Sequence, residues 1–410
     1  MKFSKSGHAL LAAAVSIGIG LGITSCGVSN IVDYVFVTAS KQNPGQIAVY
    51  SLEQGSGALT QIPDSPYSFP GRNPVALVTS PNGKYLYVVY HDDNTVVDYA
   101  IGTDGKLYPQ HTYNTPGTEP TAITINAAGT LLFVVDTFQA GFTPANPGPG
   151  AVVVYPVNSD GSLGTNIANG NLPYWPVQFN PSSVNVTALT STNAPLDFVY
   201  VVNTNTAAQA GTISAFSFST GSGGGPLTPI AGSPFPAGVA PNASASDPTG
   251  RFFYTTDSAT NQLIAYGIQT SGVLVPVQNG PFKTDVFPDA VTVSPNGMFI
   301  YVANYNSNDI SAYTIDQGSG APSSLASASF ATKTGPTCVM IEPALGRFLY
   351  TSNFLDNSIT GYQLNPNSGI LTGTENNPYP TAGQPTCTAA VAHGNHATEH
   401  VQAGSGNGAS

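Results

Sequence analysis

Short apolar or alternating runs separated by turn residues recur along the chain, and they predict β-strands rather than helices. The clearest run places an aromatic residue among valine, leucine, isoleucine or threonine. It occurs in seven copies, at residues 34–37, 85–88, 132–135, 198–201, 252–255, 299–302 and 348–351. Another apolar run and a tight turn precede most copies, as in Pro81-Asn82-Gly83, and Asn-Gly turns are typical of β-hairpins. Each copy therefore belongs to a small antiparallel sheet.

The copies lie within longer repeated units. A turn rich in Asn and Asp follows each copy, then an alternating run such as residues 310–315, then a weaker run such as residues 104–108. Residues 80–101, SPNGKYLYVVYHDDNTVVDYAI, return as residues 294–315, SPNGMFIYVANYNSNDISAYTI. Four strands per unit and seven units predict an all-β fold, a seven-bladed β-propeller of four-stranded antiparallel blades. The units repeat because each blade needs a neighbour against which to pack.

The two ends of the repeat region are predicted to close the ring. Residues 384–391, QPTCTAAV, repeat the start of the seventh unit at residues 335–341, GPTCVMI. The first unit has no such run before Tyr34. We therefore expect the C-terminal run to supply the innermost strand of the first blade, so that the propeller spans residues 31–392.

The N-terminal residues resemble a bacterial lipoprotein signal. Lys2 and Lys5 precede an apolar run at residues 9–21 that is short for a membrane span, which predicts a signal peptide over residues 1–25. Residues 23–27, ITSCG, resemble the lipobox, which implies lipidation of Cys26 and a lipid-anchored segment at residues 26–30. The expected location is extracytoplasmic, on the bacterial cell envelope, in the periplasm or at the cell surface. An uncleaved anchor helix is the alternative.

Composition limits the partners of this chain. It has 10 Lys and Arg residues against 21 Asp and Glu residues, a net charge of −11, which excludes a site for a nucleic acid backbone. An anionic membrane would also repel it, so the lipid is the only expected membrane contact. The Gly-, Asn- and Ser-rich residues 393–410 predict a disordered tail. We expect a monomer with no cofactor and no metal site, because no phosphate loop, CxxC or HExxH motif is present.

The repeated pattern S-P-[ND]-G-x-[FY]-[LIV]-Y-V-[AVT]-N resembles that of the seven-bladed lactonase family, which includes a bacterial 6-phosphogluconolactonase and YVTN-repeat proteins. The resemblance covers residues 31–392. It implies the propeller fold and, for activity, hydrolysis of a sugar lactone. Relatives often carry a histidine beside the proline that begins an innermost strand. This chain departs from them, since the corresponding residues are Asn73, Glu119, Ala240 and Phe287.

Candidate catalytic residues fall in two sets of propeller loops that share one face around the central channel. These are the connections between blades and the loops between second and third strands. Hydrolysis of a lactone needs a base and a group that holds the developing oxyanion. Three acids could be the base, namely Asp92, Asp93 and Glu119, and three groups could stand opposite them, namely Arg72, Lys283 and His91. The alternative is that these acids only accept local backbone hydrogen bonds and that His91 is solvated.

Two long loops on the same face favour a different function. Residues 138–150 and 203–211 depart from the repeat, and nearby residues 173–176 carry the only tryptophan. A lip for a glycan or protein is predicted from Phe138, Phe142, Tyr174, Trp175 and Asn203. Tyr174 could instead belong to a cluster that covers blade edges. The sequence therefore favours a ligand-binding module, with a sugar-lactone hydrolase and a structural envelope protein as alternatives.

Cys338 and Cys387 are expected to begin the innermost strands of adjacent blades. Outside the cytoplasm such a pair is often oxidised, but a disulfide requires Cα atoms closer than about 7 Å. The pair is therefore either a disulfide or two small buried hydrophobic residues.

Overall fold

The computed structural model describes residues 30–41, 43–188, 196–206, 209–219 and 226–394. The compact unit begins at Ile31, and its described residues form seven antiparallel sheets of four or five strands, with a single 3-10 turn at His91–Asp93. The predicted seven-bladed propeller is thus confirmed. No helix within the described ranges is long and apolar enough to cross a membrane.

Each blade runs from an innermost strand at the channel to an outermost strand at the rim. Blade 1 contains, in that order, Pro385–Ala392, Ile31–Ala39, Gln46–Glu53, Leu59–Gln61 and Tyr67–Ser68. Blade 2 contains Pro74–Thr79, Tyr85–Tyr90, Thr95–Ile101 and Leu107–Asn114. Blade 3 contains Thr118–Ile125, Leu131–Phe138, Ala151–Pro156 and Trp175–Pro176. Blade 4 contains Pro181–Ala188, Leu196–Asn203, Thr212–Ser219, Thr228–Pro229 and Phe235–Pro236.

The other three blades have the same order. Blade 5 contains Pro241–Ser246, Phe252–Asp257, Gln262–Ile268, Leu274–Pro276 and Phe282–Lys283. Blade 6 contains Pro288–Val293, Phe299–Asn304, Asp309–Ile315 and Pro322–Ala331. Blade 7 contains Pro336–Ile341, Phe348–Asn353, Ser358–Leu364, Leu371–Gly373 and Tyr379–Pro380.

The C-terminal strand closes the ring as predicted. Pro385–Ala392 pairs antiparallel with Ile31–Ala39, so that Ala390 lies opposite Val35 and Cys387 lies opposite Thr38. The backbone pairing extends one residue beyond this strand, because the His393 N–H donates to the Val32 carbonyl at 2.7 Å. The first blade therefore takes its strands from both ends of the propeller sequence.

In five of the seven blades, a tyrosine of the second strand joins the blade to the next. Five buried tyrosines each donate a hydroxyl hydrogen bond, of 2.7 to 3.0 Å, to a glycine carbonyl in the following blade. The pairs are Tyr87–Gly161, Tyr200–Gly272, Tyr254–Gly320, Tyr301–Gly369 and Tyr350–Gly57. These glycines have positive φ, and a Cβ atom on Gly161 would lie 2.4 Å from the ring of Tyr85. The sequence repeat therefore encodes contacts between blades.

The two cysteines of the inner strands are in contact as free thiols. Cys338 is buried in blade 7, and the backbone N–H of Thr388 in the closing strand donates to its sulfur at 3.3 Å. A hydrogen bond from the Cys387 thiol lowers the pKa of Cys338, and the same hydrogen bond, with burial, raises the pKa of Cys387. The thiols are therefore neighbours, and the pKa of Cys338 is the lower of the two.

Oxidation should covalently join the closing strand to blade 7. With glutathione disulfide as the oxidant, the two thiols lose two protons and two electrons to form one S–S bond, and two glutathione molecules are released. We expect mass spectrometry of the digested protein to identify a Cys338–Cys387 peptide pair. The melting temperature should rise, since disulfides typically add about 2–4 kcal/mol. The Cys387→Ser variant is the control, and failure of the wild type to form the linked peptide would contradict the prediction.

Candidate active site

In four blades, an asparagine side chain on one face of the ring holds the blade to the following connection. Asn94, Asn261, Asn308 and Asn357 end turns between second and third strands, all with left-handed φ. Their Oδ1 atoms accept backbone hydrogen bonds of 2.7 to 2.9 Å from the start of the next inner strand, at Glu119, Phe287, Gly335 and Gln384. The two sets of loops therefore do share one face. These asparagines recur in the sequence repeat, which is the signal that could have revealed their role.

Five of the six predicted catalytic residues lie together on this face. A cleft of about 320 Å³ opens between blades 2 and 3 and is lined by Arg72, His91, Asp92, Asn94, Thr118, Glu119, Thr143 and Pro144. Asp93 lies beside it, bound to Arg72. The cleft gathers side chains from the connection before blade 2, the turn within blade 2, and the inner strand and long loop of blade 3.

His91 is oriented by Asp92. The Nδ1 atom of His91 lies 2.8 Å from Asp92 Oδ1, which also accepts a hydrogen bond of 3.1 Å from the Asn73 side chain. These two hydrogen bonds, with His91 first, lower the pKa of Asp92 and keep its carboxylate ionised. Because an ionised Asp92 accepts a hydrogen from Nδ1, the neutral imidazole carries its lone pair on Nε2. This Nε2 atom lies 3.9 Å from Glu119 Oε2.

Arg72 is held by the same short turn. Its Nε atom donates to Asp93 Oδ1 at 2.7 Å, and its backbone N–H donates to Asp93 Oδ2 at 2.6 Å. Its Nη2 atom donates to the Asp92 carbonyl at 2.8 Å. More than half of the Arg72 side chain stays exposed at the cleft. The guanidinium is thus fixed in place by Asp93 and still open to a ligand.

Glu119 is held in a strained backbone conformation. Its φ is 54°, a left-handed value that costs a residue with a Cβ atom about 1–2 kcal/mol. The backbone N–H of Glu119 donates a hydrogen bond to Asn94 Oδ1, and the Thr137 hydroxyl donates to the Glu119 carbonyl at 2.7 Å. The surrounding contacts therefore impose the strain, and the carboxylate of Glu119 lies beside His91.

Two parts of the chain match a known protein family. Residues 33–171 and 233–341 match the family described as lactonase, 7-bladed beta-propeller. The chain belongs to the seven-bladed lactonase family. None of the curated proteins compared with it matches.

Solved structures of bacterial propellers share the fold of this lactonase-family chain. A putative 6-phosphogluconolactonase from Bacteroides fragilis is 18% identical, with a TM-score of 0.66 over 89% of this chain and 99% of its own. The periplasmic gluconolactonase PpgL of Pseudomonas aeruginosa is 19% identical, with a TM-score of 0.69 over 88% of this chain and 100% of its own. At such identities the likeness concerns the fold.

Lys283 does not join the cleft of this lactonase-family protein. It belongs to the outer strand of blade 5, where it pairs with Gln262, whereas the cleft lies between blades 2 and 3. Its charged neighbour is Asp285, in the connection that follows. Its assignment as a catalytic residue is therefore wrong for this site, because loops on one face are still spread around seven blades.

The predicted aromatic lip does not form, because four of its five residues are buried. Phe138, Tyr174 and Trp175 are at most 6% exposed, and Asn203 is fully buried. The Trp175 indole N–H donates to the Leu227 carbonyl at 3.0 Å, so this ring packs across the seam between blades 3 and 4. The Asn203 amide donates to the Val201 carbonyl within its own strand. Phe142 alone is partly exposed.

Another carboxylate of this lactonase-family protein, outside the cleft, lies in the inner strand of blade 6. Asp289 follows the proline that begins the inner strand of blade 6, and its Oδ1 accepts a hydrogen bond of 3.0 Å from Asn242 in blade 5. Burial raises the pKa of Asp289 to about 6.

The predicted lipidation site, Cys26, lies outside the described residues.

Proposed function

We propose that this protein hydrolyses a lactone in the cleft between blades 2 and 3. The observation that carries the proposal is the convergence of Arg72, His91 and Glu119, with His91 oriented by Asp92. A base held in a defined tautomer beside a fixed cation is the minimum that ester hydrolysis requires. Membership of the lactonase family supports an ester bond within a ring as the substrate.

In the proposed mechanism, His91 Nε2 removes a proton from a water molecule that attacks the lactone carbonyl. A C–O bond forms to the water oxygen, and the Arg72 guanidinium stabilises the negative charge that develops on the carbonyl oxygen. The bond to the ring oxygen then breaks, and the His91 imidazolium returns the proton to that leaving oxygen. Asp92 and Glu119 stabilise the imidazolium between these steps, since carboxylates favour the charged form. The product is one open hydroxy acid.

The charge of the cleft favours an unphosphorylated substrate. Arg72 is already paired with Asp93, and Asp92 and Glu119 add two further carboxylates, so a phosphate dianion would be repelled. The solved relative named periplasmic gluconolactonase makes aldonolactones the first compounds to test.

An extracytoplasmic location with a lipid on Cys26 is part of this proposal, and membrane fractionation of cells that express a Cys26→Ser variant tests it.

Removal of Arg72 should lower kcat/KM by about 10²-fold, the usual loss for one group that stabilises an oxyanion. The experiment measures proton release from aldonolactones with and without phosphate, using the full chain and its Arg72→Gln variant. Arg347→Gln is the matched control, because Arg347 is an exposed residue of the turn between first and second strands on the opposite face. Wild-type turnover no faster than spontaneous opening would contradict the proposed function.

Binding without turnover is the second candidate function. The long loop at residues 139–150 brings Thr143 and Pro144 to the cleft, and the Thr118 hydroxyl donates to the Phe142 carbonyl at 3.3 Å. A loop that is fastened over one side of a cleft favours retention of a ligand. Titration calorimetry with intact glycans and aldonic acids, with deletion of residues 140–148, separates this function from catalysis.

A further inference from the structure

A buried carboxyl group contacts the connection between blades 2 and 3, beside the cleft. Asp136, near the end of the second strand of blade 3, is fully buried, and its Oδ2 atom accepts a hydrogen bond of 2.9 Å from the Gly117 N–H. Gly117 directly precedes Thr118 and Glu119, which line the cleft. Asp136 takes no part in the proposed proton transfers, so its hydrogen bond to this connection needs another explanation.

Asparagine occupies the position of Asp136 in blades 4, 6 and 7, where its amide holds the third strand of its own blade. In blade 6, the Asn304 amide donates to Asp309 at 2.8 Å and to Ser311 at 2.9 Å. In blade 3, the residue opposite Asp136 is Ala151, and the next residue on that face of the strand is a valine. Neither side chain can form a hydrogen bond, so Asp136 does not fasten the third strand.

Aspartate at this position occurs together with glycine in the connection. A Cβ atom on Gly117 would lie 2.6 Å from Asp136 Oδ2, and one on Gly238 would lie 2.3 Å from Asp257 Oδ2 in blade 5. Asp257 also accepts hydrogen bonds from its connection, from the N–H groups of the two residues after Gly238 at 2.8 and 3.0 Å. The connections before blades 4, 6 and 7 carry a side chain at the place of the glycine, namely Gln178, Asp285 and Lys333. Blades 3 and 5 thus pair an aspartate with a glycine, which lets the carboxylate approach the backbone of the connection.

We infer that Asp136 is a positioning residue of this cleft, which fixes the connection before blade 3 so that Glu119 lies beside His91. The inference rests on the proposed function and adds to it a residue that touches neither the water nor the lactone. Glu119 requires support because its left-handed backbone is strained. Its own N–H and carbonyl are held by Asn94 and Thr137, and Asp136 holds the N–H two residues before it.

The same connection is tied to the turn that carries His91. The Thr115 N–H donates to the Asn94 carbonyl at 2.9 Å, and the Asn94 N–H donates to the His91 carbonyl at 3.4 Å. Hydrogen bonds thus link Asp136, through residues 115–119 and Asn94, to the turn of His91. Loss of the carboxylate charge should therefore loosen the connection that carries Glu119.

The charge of Asp136 depends on pH near neutrality. Burial raises the pKa of Asp136 from 3.8 to about 7, against the opposing hydrogen bond from Gly117. The titratable group beside it on the third strand is Tyr155, whose pKa is raised by burial and next by the charge of Asp136. The charged groups on the neighbouring loops are those of the cleft, namely Arg72, His91, Asp92, Asp93 and Glu119. Because an ionised carboxylate is the stronger acceptor, its hold on the Gly117 N–H weakens as the pH falls through about 7.

Asp136→Asn tests the inference, and Asp257→Asn is the matched control. Asparagine has the size of aspartate and occupies this position in three other blades, so both full-length variants should fold, which melting temperatures check. No described residue that lines the cleft belongs to the connection before blade 5. At pH 8, kcat/KM on an aldonolactone should fall about 10-fold in Asp136→Asn and stay at the wild-type value in Asp257→Asn, since small misplacements of catalytic groups are costly.

The pH dependence of this loss separates positioning from a merely structural role. At pH 5.5 most Asp136 is protonated and neutral, like asparagine, so the wild type and Asp136→Asn should have nearly equal kcat/KM. The ratio of the two should rise to about 10 at pH 8, as Asp136 ionises. The general base is the same in both proteins, so its own titration cancels in the ratio.

Two further readouts need no turnover. Amide hydrogen exchange of residues 115–120 should be about 10-fold faster in Asp136→Asn at pH 8, because a hydrogen bond to a charged group is lost. Affinity for a δ-lactam should fall about 10-fold in Asp136→Asn alone, since Thr118 and Glu119 line the cleft.

The outcomes distinguish this inference from the proposed function. No turnover in any protein, with lactam affinity lost in Asp136→Asn alone, would contradict the hydrolase and support Asp136 as a positioning residue of the cleft. Unchanged kcat/KM and lactam affinity in Asp136→Asn, equal losses in Asp136→Asn and Asp257→Asn, or a ratio of rates that does not change with pH would overturn the inference.

Discussion

Replacement of His91 by glutamine is expected to lower kcat on an aldonolactone by about 10²–10⁴-fold, the usual contribution of a general base. Glutamine can occupy the space of the imidazole and donate to Asp92, but its amide cannot accept a proton from water. KM should change little, because Arg72 and Glu119 still line the cleft. Initial rates over a range of lactone concentrations measure both constants.

His111 provides the matched control for this prediction. Its Nδ1 atom lies 3.1 Å from the buried Asp98, so it is also a histidine paired with an aspartate. It belongs to the outermost strand of blade 2 rather than to the mouth of the channel. His111→Gln should retain the wild-type rate. Equal losses in the two variants, or no loss in His91→Gln, would contradict the assignment of His91 as the base.

Asp33→Asn is expected to make the protein more stable, by an amount that grows as the pH rises. Asp33 is fully buried at the junction of blades 7 and 1, and neither carboxyl oxygen accepts a well-formed hydrogen bond from the described residues. It lies against Glu342, whose carboxylate accepts three backbone hydrogen bonds, from Leu345, Arg347 and Phe348. The proton therefore belongs on Asp33, which donates to Glu342.

The direction of the pH effect follows from the two pKa values of Asp33. Burial, with the charge of Glu342 next in size, raises the pKa of Asp33 from 3.8 to about 10. Between these values the folded protein keeps a proton that the unfolded chain releases, so the free energy of unfolding falls as the pH rises. For one proton, the free energy of unfolding changes by at most a little over about 1 kcal/mol per pH unit. Asparagine is neutral at every pH and removes this dependence.

Melting temperatures at pH 5 and pH 9 measure this effect. We expect the difference between Asp33→Asn and the wild type to be several degrees larger at pH 9. Glu342→Gln is the contrasting variant, because it replaces the acceptor of three backbone N–H groups and should destabilise the protein at both pH values. A difference that does not change with pH, or a lower melting temperature for Asp33→Asn, would contradict the assignment.

The fold can be predicted from the sequence because its contacts repeat from blade to blade. In five blades the tyrosine of the second strand and the glycine of the following blade recur in register, so a repeat in the sequence is a repeat in the packing. Closure by residues 385–392 can be predicted for the same reason, since PTC at residues 385–387 copies PTC at residues 336–338.

The candidate site can be predicted only in part. Propeller topology places the loops of Arg72, His91, Asp92, Asp93 and Glu119 on one face, and this is enough to group them. That rule does not specify the position of a loop around the ring, so it wrongly adds Lys283 to the group. The burial of Trp175 depends on Leu227, far away in the sequence. Asp33 meets Glu342 only when the ring closes, so the sequence pattern gives no sign of this pair.

A crystal structure with a δ-lactam would locate the site of hydrolysis. The amide analogue of a lactone binds as the substrate does but resists ring opening. We expect the lactam to occupy the cleft between blades 2 and 3, with its carbonyl oxygen within hydrogen-bonding distance of Arg72 and its carbonyl carbon facing His91 Nε2. A lactam bound elsewhere in the channel, such as beside Asp289 and Asn242, would contradict the proposed mechanism.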